Sequence, residues 1–307
     1  MHRVLLSGYY GFGNIGDEAI LAATVQSLRA RLPDLGISVL SESPSETSRD
    51  YGVEAFYRMS LPQVIGAFRN ADLIVFGGGS LLQDSTSFRS LAYYLSILFL
   101  AKIMGKPVII YANGIGPLKS HFGRYLTKSL LNTVTEISVR DDESLRLLRE
   151  IGVVRQIKVT ADPAFLLEAA PPPRVGQILQ ESGIDSSMPM AWLALRPGRM
   201  SGAFYDSLAK AVAYLRREKL FPCLLVMQER DMPVVQALNQ SLKDVFEPEV
   251  PRVSGLTPSE ALGVLKRGEF CFGMRLHTLI LAAKAGVPSM GVEIDPKIGA
   301  FCRGLDL

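Results

Sequence analysis

Short runs of consecutive apolar residues alternate along this chain with longer stretches whose apolar positions recur every three or four residues. The short runs lie in HRVLLSGYY, GISVLSE, ADLIVFGGG, PVIIYANG, EISVRD and IKVTADPAF, and they end in Gly, Asp or Asn. Brief runs without a polar face predict strands buried on both sides, and the helical spacing between them predicts helices that do the burying. The alternation predicts a mostly parallel sheet covered on both faces. A second series follows in AWLALRPG, FPCLLVMQE, RVSG, EFCFGM and PSMGVEI. Between the two series lies LLEAAPPPRVGQILQESGIDSSMP, with Pro171, Pro172 and Pro173 in succession. The expected organisation is an N-terminal domain over 1–170, a hinge over 171–189 and a C-terminal domain over 190–307, with a helix over 174–182 that could join the second domain. The fold class is α/β, two Rossmann-like doubly wound domains facing a cleft, with ligands at the carboxyl ends of the strands.

Charge enters this picture first at GEFCFGMRLHTLILAAKAGVPSMGVEIDPKIGAF. The apolar run ends at Met274 and helical spacing begins at once, up to a Gly stop at Gly286. Arg275 and His277 therefore fall in the opening turn of a helix, where unpaired backbone N–H groups favour a phosphate or carboxylate. An imidazole there can exchange protons near neutral pH. The plainer reading is an arginine pairing with a neighbouring carboxylate beside a core histidine. Against it, the next strand, VPSMGVEIDPK, ends in Asp295 and Lys297 on the same side of the sheet. Arg196, at the strand end LALRPG, is a further anion candidate.

Three glycine loops follow strands of the first domain. Gly11-Phe-Gly13-Asn-Ile-Gly16 matches G-x-G-x-x-G, with Glu42 closing the next strand, so a dinucleotide reading is available. Asp17 and Glu18 in the first helical turn would repel a pyrophosphate, however. With Asn14 they suit hydroxyl-rich ligands, and Asp17 could assist deprotonation of a hydroxyl; acids that only stabilise the helix start are the competing reading. Gly77-Gly78-Gly79-Ser80 delivers Gln83 and Asp84. Asn113-Gly-Ile-Gly116-Pro117 is placed alike with less chemistry. Arg140, before an acid-rich helix start, is either salt-bridged or a second anion-binding group, and Asp162 is expected to order a loop.

With 307 residues, 48% apolar and 21% charged, the chain can bury a large core, and a net charge of +3 is too mild to imply nucleic acid. Cys223, Cys271 and Cys302 lack metal-ligand spacing, and a reducing cytoplasm without disulfides or metal is expected. The longest apolar stretch, LAYYLSILFLAKIM over 91–104, falls short of the roughly 20 residues that span a bilayer. It is expected as a buried helix, with peripheral membrane contact as the other reading.

Taken in order, FGNIGDEAIL, GGGSLLQD, NGIGP, SVRD, ADPAF and GMRLHTLILAAKAGVP resemble the polysaccharide pyruvyltransferase family over nearly the whole chain, and in particular its bacterial members that attach pyruvate to secondary cell-wall polysaccharide. The resemblance implies a GT-B-like fold, phosphoenolpyruvate as co-substrate with no cofactor or metal, and a lipid-linked saccharide acceptor whose N-acetylmannosamine receives a 4,6-pyruvate ketal. It implies work in the cytoplasm, at the inner face of the membrane. Arg275, Leu276 and His277 match the donor-binding element, Lys297 a basic residue of the next segment, and Arg140 and Arg196 complete the donor set. His277, Lys297 and Asp17 are the expected catalytic residues; Asn14, Asp17, Glu18, Gln83 and Asp84 are the expected acceptor residues. A nucleotide-sugar glycosyltransferase on the same fold, an oxidoreductase using the Gly11–Gly16 loop and a non-catalytic sugar-binding protein are the rival readings. The chain ends at FCRGLDL, where folds of this type are expected to add helices returning to the first domain.

Overall fold

Strand β1 (Arg3–Ser7) reads RVLLS, and every residue from Val4 to Ser7 is buried. Leu5 packs in one core layer with Leu40, Ile74, Phe76 and Ile110, whereas Val4 and Leu6 pack in another with Leu21, Val25, Val39 and Val75. Successive strand side chains point to opposite faces, so a strand covered on both faces has no polar side to show. The computed structural model describes residues 2–85, 87–198, 200–244 and 247–304, and the same logic recurs throughout it. Two compact units result. One runs to Phe12 and resumes over Asp17–Leu166; the other takes Gly13–Gly16 and the chain from Leu167 onward.

In the first unit β1 is joined by β2 (Gly36–Ser41), β3 (Glu54–Tyr57), β4 (Leu73–Gly77), β5 (Val108–Asn113), β6 (Glu136–Val139) and β7 (Ile157–Val159). They form a parallel sheet in the order β3-β2-β1-β4-β5-β6-β7. The crossover helices are α1 (Ile15–Arg31), α2 (Pro44–Tyr51), α3 (Leu61–Asn70), α4 (Phe88–Ile103), α5 (His121–Leu131) and α6 (Asp142–Glu150). Winding reverses between β1 and β4, and the crevice at their carboxyl ends is where such sheets take ligands. Helix α4, the apolar stretch of the sequence, buries Leu91, Tyr94, Leu95 and Leu98 at helical spacing while Phe99 and Ile103 stay exposed. Among the described residues no helix is long and apolar enough to cross a membrane.

The second unit contains α7 (Pro172–Glu181), β8 (Met190–Ala194), α8 (Gly202–Arg217), β9 (Phe221–Leu225), α9 (Met232–Asp244), β10 (Arg252–Val253), α10 (Pro258–Leu265), β11 (Gly268–Gly273), α11 (Leu276–Ala285), β12 (Ser289–Gly291) and α12 (Pro296–Gly304). Its parallel order is β10-β9-β8-β11-β12, so winding reverses between β8 and β11. The expected strands of this half are all present. The stretch 171–189 carries α7 where a helix over 174–182 was expected, and this helix buries Val175, Ile178 and Leu179. It packs on α10, where Val175 lies against Gly263 and the Ala170 N–H donates to the Ser259 carbonyl at 2.8 Å. Two of the prolines open this helix, where a missing N–H costs nothing.

Candidate functional site

The second unit's reversal point gathers positive charge. Gly273 at the end of β11 pairs with Ala194 of β8 on one side and Gly291 of β12 on the other. Arg196 and Arg275 each lie two residues beyond a paired position, and Lys297 opens α12 after β12, so these residues leave the sheet at one edge. Arg275 is the N-cap residue of α11, and Leu276 and His277 form the first helical turn as expected. Its guanidinium is buried and held by Asp231, with Nε donating to Oδ2 at 3.0 Å and Nη2 to Oδ1. Two parallel bonds fix the plane of the guanidinium. Burial pushes the pKa of the half-buried Arg196 down, and the neighbouring Arg275 pushes it the same way; Arg230 adds to this, while Asp295 and Asp231 oppose it. Lys297 sits in the opening turn of α12, not at a strand end, and its N–H donates to Asp295 Oδ1 at 3.1 Å. A Pro at the first helical position and an Asp before it explain the early start.

The Gly13–Gly16 segment belongs to this unit. The Ile15 N–H donates to the Met227 carbonyl at 3.1 Å, and Asn14 Oδ1 accepts from the Gly16 N–H at 3.3 Å. Gly16 lies so close to the His277 ring that a methyl group there would collide with Nδ1. Its glycine is a packing requirement of the histidine.

In the first unit, the loops after β1 and β4 are knitted together. The Tyr10 hydroxyl donates to the Gly77 carbonyl at 2.7 Å, and burial, then Asp17 and Glu18, push its pKa well above the ordinary range, so it stays a neutral donor. Asp17 is buried against Gly79, where a methyl group would strike its carboxylate. Glu18, expected among the acceptor residues, has protein partners for both oxygens: the Gly11 N–H at 2.7 Å and the Tyr51 hydroxyl at 3.0 Å. Burial raises its pKa, and these bonds partly counter the rise. Asp84 likewise accepts from the Lys119 and Ser120 N–H groups at 2.7 and 2.8 Å and so braces the approach to α5. Gln83 accepts from the Ser85 hydroxyl at 2.5 Å. Arg140 is buried and donates to Asp162 at 2.8 Å and to Ser80 at 3.0 Å, which is the salt-bridged alternative.

Sequence reasoning missed Asp231 and Arg230, the first being the anchor of Arg275. The signal was present in FPCLLVMQERDMP, whose charges follow a strand as those of LALRPG and EIDPK do. It also missed Tyr10 and Tyr51, whose hydroxyls set the Gly-rich loop.

The sequence model of the family described as polysaccharide pyruvyl transferase matches residues 14–296. The amylovoran biosynthesis protein AmsJ of Erwinia amylovora is 24% identical over 207 residues, covering 54% of this chain and 49% of that protein. The chain thus spans about half the length of the curated relative it matches. Among solved structures, S. aureus MnaA with UDP superposes with a TM-score of 0.68 at 11% identity, covering 100% of this chain and 82% of that one. The UDP-GlcNAc 2-epimerase of Neisseria meningitidis gives 0.63 at 13% identity over 98% and 85% of the two chains. E. coli ADP-heptose heptosyltransferase II gives 0.52 at 16% identity over 95% and 84%. At such identities the likeness is one of fold: two Rossmann-like units of the GT-B kind.

Proposed function

We propose, since this chain belongs to the polysaccharide pyruvyl transferase family, that it moves pyruvate from phosphoenolpyruvate onto the 4,6-diol of a lipid-linked saccharide bearing N-acetylmannosamine, at the inner face of the membrane. The observation that carries this reading is the charge at the β8/β11 reversal point. A fixed Arg275 and a half-buried Arg196 leave the sheet beside the helix starts that bear His277 and Lys297. Phosphoenolpyruvate presents a carboxylate and a phosphate on the same carbon, C2, a charge pattern that two guanidinium groups and a helix N-terminus complement. Arg196, whose charge burial and then its cationic neighbours disfavour, gains most from such an anion.

The reaction needs one proton on the methylene carbon, which leaves a cation-like C2 open to the first hydroxyl. The C2–O bond to phosphate then breaks, and the second hydroxyl closes the ketal on C2. Two hydroxyl protons are released; one replaces the proton given to carbon and the other leaves with phosphate. His277 serves as the general acid, and Arg275 with Lys297 neutralises charge that grows on the departing phosphate. Asp17 is assigned to the acceptor hydroxyls. Arg140, engaged by Asp162 and Ser80, serves by holding its loop.

Phosphate release from phosphoenolpyruvate, followed with and without an N-acetylmannosamine-terminated acceptor, tests the reading. Wild type should release phosphate only with the free 4,6-diol, and His277→Ala should lower the rate by about 10²-fold or more. Silence from wild type combined with consumption of a nucleotide sugar would replace pyruvyl transfer by glycosyl transfer.

A further inference from the structure

Helices α4 and α5 start at the carboxyl ends of β4 and β5, the edge of the first unit that carries its glycine loops. There the chain holds large rings in solvent: Phe88 is 44% exposed, Phe122 60% and Tyr125 65%. The Phe88 and Phe122 rings lie 6.4 Å apart, so the patch bridges the two helices, and Tyr125 extends it by a turn of α5. None of the three has an inward duty, because α4 turns Leu91, Tyr94, Leu95 and Leu98 to the core and α5 turns Gly123, Thr127, Leu130 and Leu131. A polar outer face would serve the fold as well, and contiguous exposed rings mark an interaction surface.

The rim is basic. Arg89, Lys119, His121 and Lys128 are exposed around the rings. Two nearby acids have partners: Asp84 accepts from the Lys119 and Ser120 N–H groups, and Glu150 pairs with Arg124 of α5 at 2.7 Å. Lysine is depleted from the cores of protein–protein interfaces, whereas rings with a lysine and arginine border match the headgroup level of a bilayer carrying negative lipids.

We propose that this patch docks the first unit on an anionic membrane, with Phe88, Phe122 and Tyr125 among the headgroups and the basic rim on their phosphates. Docking rests on the pyruvyl-transfer reading for its purpose alone: it would present the carboxyl edge of the sheet to a saccharide that grows from a lipid.

Sedimentation with vesicles decides the matter without any turnover. The protein should pellet with phosphatidylglycerol-containing vesicles, bind pure phosphatidylcholine at least tenfold more weakly, and dissociate as salt rises. Phe122→Ser combined with Tyr125→Ser should lower binding tenfold or more, and Lys119→Glu combined with Lys128→Glu should remove the preference for phosphatidylglycerol. Far-UV circular dichroism of both variants should match wild type. Their phosphate release with a lipid-free acceptor should also be unchanged, which keeps a failure of docking apart from a failure of pyruvyl transfer. Wild type that ignores anionic vesicles, or variants that bind as wild type does, would overturn the proposal. So would a wild-type dimer that the Phe122 and Tyr125 substitutions split into monomers, since the patch would then join two copies.

Discussion

Among the described residues, Arg275, Arg140 and Arg58 have buried side chains, and each is accommodated differently. Arg275 lies in a bidentate pair with Asp231, Arg140 pairs with Asp162 and Ser80, and Arg58 stacks over the Tyr93 ring at 4.0 Å with Phe12 at 5.0 Å. Taking a guanidinium out of water costs several kcal/mol, so its partner matters more to stability than a surface ion pair does. Asp231→Ala would leave Arg275 buried without its carboxylate, and a loss of about 3–5 kcal/mol is expected. Urea unfolding measures it, and the KM for phosphoenolpyruvate should rise in the same variant because the guanidinium plane is no longer fixed. Unchanged stability would mean that the pair does not form in solution. At this scale the sequence discloses chemistry but not partners. Arg275 and His277 are legible because helix start and charge coincide within a few residues. Asp231 lies 44 positions away, and only the parallel packing of β9 near β8 brings it into reach. Glu18 and Asp84 were legible as acids beside glycine loops, yet backbone N–H groups meet both Asp84 oxygens and one of Glu18, a partner type that side-chain patterns do not reveal.

Gly16 is required by the His277 ring, and Ala at that position would push the imidazole aside. A methyl group in the first turn of α1 is otherwise favourable to the helix, so Gly16→Ala should leave the unfolding midpoint near wild type while kcat falls by about tenfold or more. An unaltered kcat would remove His277 from the chemistry or show that the ring adjusts without loss. The strands themselves were legible wherever the chain shows a short apolar run, as in β1, β4, β5, β8 and β11. Strand β3 was not, because EAFY is an edge strand with a partly exposed face and presents no continuous apolar run. The start of α12 was hidden by the opposite ambiguity: GVEIDPK reads as a strand running to its polar end, although Asp before Pro is equally a helix opening, and the structure uses it so. Segment 171–189 was legible as a helix over 174–182 behind three prolines, which signal a break in the chain and also fit the first turn of a helix.

Each unit has its own core, and the chain's single tryptophan, Trp192, lies fully buried in β8 of the second. Tryptophan fluorescence therefore reports one unit, whereas far-UV circular dichroism reports both. Arg196, Arg275, His277 and Lys297 belong to the unit that Trp192 reports, and a ligand that binds only the folded state raises the stability of the unit it binds. Phosphoenolpyruvate at a hundredfold excess over its Kd should thus stabilise the fluorescence transition by about 2.7 kcal/mol. Asp17 lies in the other unit, so a saccharide acceptor held there should act first on the part of the dichroism transition that fluorescence does not follow. Arg275→Ala should abolish the phosphoenolpyruvate effect on Trp192 and leave the acceptor effect in place. If phosphoenolpyruvate instead moved only the dichroism signal, the donor would belong to the first unit, where Arg58 and Arg140 are buried cations at strand ends, and the division of labour between the units would be reversed.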